Sequence, residues 1–122
     1  MRYRREVLDI QSEQRQSALV ISLSGSFDAL TADQAHSFIS TQLDHGQQQI
    51  ALDLGHVDFM SSAGIRVLLD MLKRSRSMGG DLRLAATQPG VQRTLEISGM
   101  VRVLKVYPSV EEVVRSYGTQ ES

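Results

Sequence analysis

Two adjacent serines, Ser61 and Ser62, stand with Ala63 and Gly64 directly before a run in which Ile65, Leu68, Leu69 and Leu72 recur at helical spacing. That order predicts a helix whose N-cap is Ser61 and whose first turn holds Ser62, Ala63 and Gly64. Backbone N–H groups in a first turn lack intrahelical acceptors, so an anion placed there meets partial compensation before any side chain helps. The chemistry that suits such a place is capture or acceptance of a phosphoryl group on a serine hydroxyl. Phosphorylation of Ser62, with Ser61 as the second choice, adds about −1.5 to −2 charges. A plain structural role as cap and first-turn residue accounts for both serines equally well.

Other residues gather around this point in the sequence. Asp58, Phe59 and Met60 lead into the serines, and Arg66 follows on the polar face of the helix. A second segment, Ser24, Gly25, Ser26, Phe27 and Asp28, follows an apolar strand and is expected to reach the same rim. Asp28 and Asp58 would then flank the serine pair, although each also suits a turn that accepts from its own backbone. Gly64 also serves simply as a small residue for close helix approach. Phe27, Phe59 and Met60 are expected beside the rim, with Phe27 a candidate partner contact. Catalytic chemistry finds little support: Ser62 lies outside G-x-S-x-G, and His36, His45 and His56 fall in separate segments without triad or H-E-x-x-H spacing.

The elements that position these residues follow from periodicity. An edge strand is expected near residues 3–10, a polar turn at 11–16, and a strand in SALVISLSG ended by Gly25, the two strands forming a hairpin. Thr31 and Gln34 have capping-box spacing behind Leu30, and Ala35, Phe38, Ile39 and Leu43 form a helical stripe closed by Gly46. Ile50, Leu52 and Leu54 alternate as a strand stopped at Gly55, with a loop at His56 to Asp58. The serine-led helix keeps Arg66, Asp70, Lys73 and Arg74 on its polar face, leaves Val67 and Met71 off the stripe, and ends at Met78 to Gly80; Arg76 swings toward its apolar side. Leu82, Leu84 and Ala86 make a strand. Pro89 opens a short helix with Val91, Leu95 and Ile97, Val101 to Tyr107 reads as a strand, and Ser109 with Glu112 caps a last helix through Tyr117.

Strands separated by helices imply right-handed crossovers and parallel pairing. The fold class is therefore α/β, a mixed sheet of about five strands packed with about four helices. At 122 residues the chain is one domain, residues 1–118, with 119–122 a loose tail. Thirteen Lys and Arg against fourteen Asp and Glu leave no basic footprint for nucleic acid. No apolar run approaches the roughly 20 residues that span a bilayer, so a cytoplasmic location without membrane contact is expected. Cysteine is absent, which excludes disulfides and thiolate chemistry.

Three blocks together resemble the STAS family, within it the small single-domain anti-anti-sigma factors of bacteria: LVISLSGSFDALTADQ, ALDLGHVDFMSSAGIRVLLDML and DLRLAATQPGVQRTLEISGMVRVLKVYPSVEEVV. The resemblance implies a STAS-like fold and a non-enzymatic anti-sigma factor antagonist. Such a protein binds a serine-protein kinase that is also an anti-sigma factor, is released when the kinase spends Mg-ATP to phosphorylate it, and is restored by a serine phosphatase. It implies that Ser62 is the acceptor, Asp28 the loop aspartate and Gly64 the helix-start glycine. No cofactor belongs to this chain, since Mg-ATP is held by the kinase, and weak homo-oligomers remain open. Two positions depart from the family pattern: Ser61 stands where aspartate is usual before the acceptor, and Ala63 where serine or threonine is common after it. Those departures motivate an alternative, a constitutive STAS interaction or ligand-sensing module without a phosphoswitch.

Overall fold

The computed structural model describes residues 7–118. Within them the strands β1 (Asp9–Arg15), β2 (Ala18–Phe27), β3 (Gln49–Met60), β4 (Asp81–Ala85) and β5 (Val106–Tyr107) alternate, after the first hairpin, with α1 (Ala32–Asp44), α2 (Ser62–Ser77) and α3 (Pro89–Ile97). A 3-10 turn at Met100–Arg102 precedes β5, and α4 (Val110–Gly118) closes the chain. The sheet runs β1-β2-β3-β4-β5, antiparallel at β1–β2 and parallel elsewhere. This is the mixed five-stranded α/β architecture that the alternating elements predict.

Side-chain alternation divides the core between the two faces of the sheet. Ile21, Leu23, Ile50, Leu52, Leu54, Leu82 and Leu84 point to one face, where they meet Ile39 and Leu43 of α1, Leu68 and Leu72 of α2, and Val91 and Leu95 of α3. The neighbouring positions Ala18, Val20, Ala51 and Ala85 point the other way, and Val113, Val114 and Tyr117 of α4 cover them. That second face carries the smaller side chains, three alanines and a valine, beneath the nine residues of α4.

Local boundaries differ from the sequence reading in instructive places. Residues 11–15, expected as a turn, belong to β1, and the hairpin turns instead at Gln16 and Ser17, where Gln16 adopts a φ of 55°. The expected start of that strand before residue 7, and the tail at 119–122, lie outside the described residues. Gly25 and Gly55 do not end their strands. Gly25 takes a φ of 120° at an irregularity in the β2–β3 register, and both strands continue, so His56 to Asp58 is strand rather than loop. Val101 to Tyr107 contains one 3-10 turn and a strand of only two residues, and Ile97 is 79% exposed rather than part of the core.

The buried stripe of α2 is also rotated from expectation. Gly64, Val67, Leu68, Met71, Leu72 and Ser75 are buried, whereas Ile65 and Leu69 are half-buried. Val67 and Met71 are covered because α2 packs against α1 as well as the sheet, which widens its apolar sector beyond one stripe. Arg76 neither frays nor crosses the core. Its Nε donates to Asp81 at 2.9 Å and its Nη2 to the Val103 carbonyl at 2.9 Å.

That pair belongs to a network joining four elements. Arg83 Nε donates to the other Asp81 oxygen at 2.9 Å, and its Nη1 donates to Ser116 at 2.8 Å. The guanidinium stacks over the Tyr117 ring at 4.1 Å, while the Tyr117 hydroxyl donates to the Ile50 carbonyl at 2.8 Å. Burial alone would raise the Asp81 pKa. The hydrogen bonds from Arg83, Arg76 and the Leu82 N–H outweigh it and hold the carboxyl below its ordinary value. Burial pushes the Tyr117 hydroxyl up, so it stays protonated as a donor.

Candidate functional site

The carboxyl ends of β2 and β3 meet the start of α2 at one rim of the sheet. The joint is made by the backbone: the Ser61 N–H donates to the Phe27 carbonyl at 3.0 Å. Ser61 has extended φ and ψ and is the N-cap, its Oγ accepting from the Ala63 N–H at 3.2 Å. Ser62 is the first helical residue. It is exposed, and its hydroxyl has no hydrogen-bond partner among the described residues. The two serines therefore differ physically: one hydroxyl is engaged in holding the helix start and half-buried, the other is free at the surface.

Gly64 sets how close the two strands' ends can lie to α2. A Cβ built there would sit 2.8 Å from the Phe27 carbonyl oxygen and 3.1 Å from both Met60 Cγ and Phe27 Cγ. Its side-chain-free backbone thus allows the contact that places Ser62 beside the β2–α1 connection. Phe27 and Met60, expected beside the rim among the partner-contact residues, are 0% and 2% exposed. They form the floor beneath the rim because the rim must itself close the apolar end of the core. Phe59 points the other way and is 53% exposed, and Leu30, expected to staple α1, is 70% exposed.

The β2–α1 connection is fixed by its own hydrogen bonds. The buried Thr31 hydroxyl donates to the Ser26 carbonyl at 2.7 Å and accepts from the Asp28 N–H at 3.0 Å. It therefore does not cap α1, and the Gln34 side chain accepts from the Leu8 N–H at 3.0 Å instead of completing a capping box. Asp28 Oδ1 accepts from the Leu30 N–H at 3.0 Å, a turn that stiffens the segment one residue beyond the Phe27–Ser61 joint. Across the strands, Ser26 Oγ donates to Asp58 Oδ1 at 3.3 Å.

Not every expected residue belongs to this rim. Ser24 lies with Asp9, Gln11, Ser22, Asp53 and His56 around a shallow polar depression of about 380 Å³ on the sheet face that α4 leaves open. Arg66 lies one turn beyond Ser62 in a groove of about 380 Å³ between α1 and α2, which also holds Asp33, His36 and Asp70. Sequence reasoning did not bring Asp33, His36 and Asp70 into the site. Their spacings mark polar helix faces, but nothing in one helix's periodicity says which other helix lies across from it. Among the described residues no group of three His, Asp, Glu or Cys side chains can hold a metal ion. No described helix is long and apolar enough to cross a membrane.

Comparison with known proteins gives this geometry a family. The pattern of the STAS domain matches residues 9–113. BtrV of Bordetella bronchiseptica, named as an anti-sigma factor antagonist, is 35% identical over 101 residues, covering 83% of this chain and 87% of its own. The structure of an anti-sigma factor antagonist from Mycobacterium paratuberculosis shares the fold, with a TM-score of 0.82 at 21% identity over 89% of this chain and 92% of that one. SpoIIAA of Bacillus in its phosphorylated form also shares it, with a TM-score of 0.68 at 23% identity over 88% and 99%. From the match across nearly all of the described sheet and helices, the chain belongs to the STAS domain family of anti-sigma factor antagonists.

Proposed function

We propose that the rim around Ser62 is a phosphorylation-gated docking surface, through which the unmodified protein binds and neutralises a serine-protein kinase that is also an anti-sigma factor. The observation that carries this reading is the exposed, unengaged Ser62 hydroxyl on the first turn of α2, beside the exposed Phe59 and Leu30 and the carboxylates of Asp28 and Asp58. The names of BtrV and of the phosphorylated SpoIIAA structure support it. The chain acts by binding, in the cytoplasm, without a cofactor of its own and without nucleic acid or membrane as partner.

The mechanism follows from charge. With Mg-ATP held by the kinase, Ser62 Oγ attacks the γ-phosphorus, the bond to the ADP oxygen breaks, and the hydroxyl proton leaves to a base of the kinase or to water. The first-turn N–H groups of Ser62 and Gly64 lack intrahelical acceptors and favour the new dianion. The protein itself therefore tolerates the product. A partner seated over the rim does not, because about −1.5 to −2 charges now lie in its desolvated contact with Asp28 and Asp58 already present. Release frees the kinase to hold its sigma factor, and a serine phosphatase restores binding.

Incubation with the cognate kinase and Mg-ATP, followed by site-resolved mass spectrometry, tests the assignment. One phosphoryl group on Ser62, abolished in Ser62→Ala and retained in Ser61→Ala, is the expected result. Ser62→Ala keeps binding the kinase, whereas Ser62→Asp binds more weakly. Undiminished labelling of Ser62→Ala overturns Ser62 as acceptor, and a chain that stays unmodified while binding its partner is a constitutive module.

A further inference from the structure

We propose that β1 is a homodimerisation edge, on which a second copy of this chain adds its own β1 antiparallel to form one continuous ten-stranded sheet. β1 is the outermost strand of the sheet, seven residues long, with an unbroken register against β2 and no proline or glycine. Exposed edges of this kind are templates for pairing unless they are short, bulged, proline-bearing, covered or charged. Of those devices the described residues of this strand carry only charge, at Asp9, Glu13 and Arg15, and it is of both signs.

The hydrogen-bonding phase of the edge is fixed by the hairpin. The two-residue turn at Gln16 and Ser17 makes Arg15 and Ala18 a hydrogen-bonded pair, so Asp9, Gln11, Glu13 and Arg15 spend their backbone groups on β2. Ile10, Ser12 and Gln14 direct theirs outward. The Leu8 N–H, in the same phase, already finds an acceptor away from β2, the Gln34 side chain. A second β1 can bond only where these even-numbered residues face one another.

Among the registers the backbone permits, one overlaps all seven residues of both strands, and charge favours it. Centred on Ser12, the pairing sets Asp9 opposite Arg15 of the second copy, Gln11 opposite Glu13, Ile10 opposite Gln14, and Ser12 opposite itself, with every odd pair occurring twice. Centred on Gln11 it would oppose Asp9 and Glu13, and centred on Glu13 it would oppose Glu13 to itself. Like charges directly opposite are destabilising, and opposite charges favourable. The Asp9–Arg15 pairs also fall at the non-hydrogen-bonded positions, where facing Cα atoms are about 4.5 Å apart and side chains closest. Among the described residues Arg15 is otherwise held by one ion pair, at 3.7 Å to the exposed Glu111. The two-fold axis stands perpendicular to the sheet, so the rims bearing Ser62 point in opposite directions and both stay open.

Sedimentation equilibrium on the full chain tests the proposal. A monomer–dimer equilibrium is expected, shifted toward dimer by concentration. Ser12→Pro removes the outward N–H without touching the β2 ladder, and should weaken association roughly tenfold or more with an unchanged circular dichroism spectrum. Asp9→Arg and Arg15→Asp should each weaken it, and the double variant should restore it. Because the chain has no cysteine, Ser12→Cys should cross-link to its own counterpart under mild oxidation, the facing Cα atoms lying about 5.5 Å apart. A parent protein that stays monomeric at millimolar concentration, a dimer indifferent to Ser12→Pro, or a charge swap that fails to restore association overturns the proposal.

Discussion

Replacing Gly64 with alanine sets two effects of known size against each other. In an ordinary helix interior the change stabilises by about 1 kcal/mol. Here the new methyl would lie 2.8 Å from the Phe27 carbonyl oxygen and 3.1 Å from two further carbons. The oxygen is backbone, and it is already fixed as the acceptor of the Ser61 N–H, so α2 must move away from the strand ends. Overpacking of this kind costs about 1–3 kcal/mol, and stretching the Ser61–Phe27 bond forfeits about 1 kcal/mol more. The balance is a net destabilisation of about 2 kcal/mol. Urea denaturation of Gly64→Ala should show a lower midpoint with an unchanged slope, and the Ser61 amide should exchange with solvent faster than in the parent. A variant as stable as the parent, with the Ser61 amide equally protected, refutes the claim that close approach at Gly64 holds the rim.

Further outcomes follow from other contacts. Asp81→Asn leaves the guanidinium groups of Arg76 and Arg83 without their carboxylate and should cost about 2 kcal/mol by thermal or urea unfolding. Since the Asp81 pKa is lower folded than unfolded, its contribution is present above the ordinary aspartate value, about 3.9, and is lost as pH falls through the folded value. The asparagine variant should therefore show a shallower loss of stability in acid. Phe59→Ser should lower kinase affinity by about tenfold or more while leaving stability within about 0.5 kcal/mol, as expected of an exposed contact residue; titration calorimetry separates the two. Ala86 has a φ of 62°, so Ala86→Gly should raise stability by up to about 1 kcal/mol in the same urea assay.

The parts of this molecule legible in the sequence are those decided by short-range pattern. The alternation at Ile50, Leu52 and Leu54 names a strand because these side chains share one face, against the helix-covered core, while Ala51 and Asp53 between them face the other. Ser61 as N-cap, and Ser109 accepting from the Glu112 N–H at 3.2 Å, rest on spacings of two or three residues. What was not legible depends on partners distant in the chain. Val67 and Met71 are buried because α1 lies across them. Thr31 abandons its cap because its hydroxyl oxygen instead accepts from the Asp28 N–H, three residues back, while its proton goes to the Ser26 carbonyl. Gly25 and Gly55 looked like strand ends, since glycine usually interrupts a ladder, yet here each absorbs an irregularity that lets β2 and β3 continue to the rim. Within the site, the serines and their order were readable. The inward turn of Phe27 and Met60 is hidden when Gly25 and Gly55 are read as strand ends; with the strands continued, the odd positions of Ile21 and Leu23 lead to Phe27 and the even positions of Leu52 and Leu54 lead to Met60.

The order in which the strands lie side by side is also the order in which a ribosome would deliver them. Each strand after the first needs only its immediate predecessor, so the sheet and the face bearing α1, α2 and α3 can accumulate while synthesis proceeds. The alanine-lined face is different. It stays bare until α4 emerges, when Tyr117 reaches back 67 residues to the Ile50 carbonyl and completes the second half of the core. A nascent chain stalled before α4 would thus carry the Ser62 rim already assembled over an unsealed back, a state well suited to recognition by chaperones and proteases.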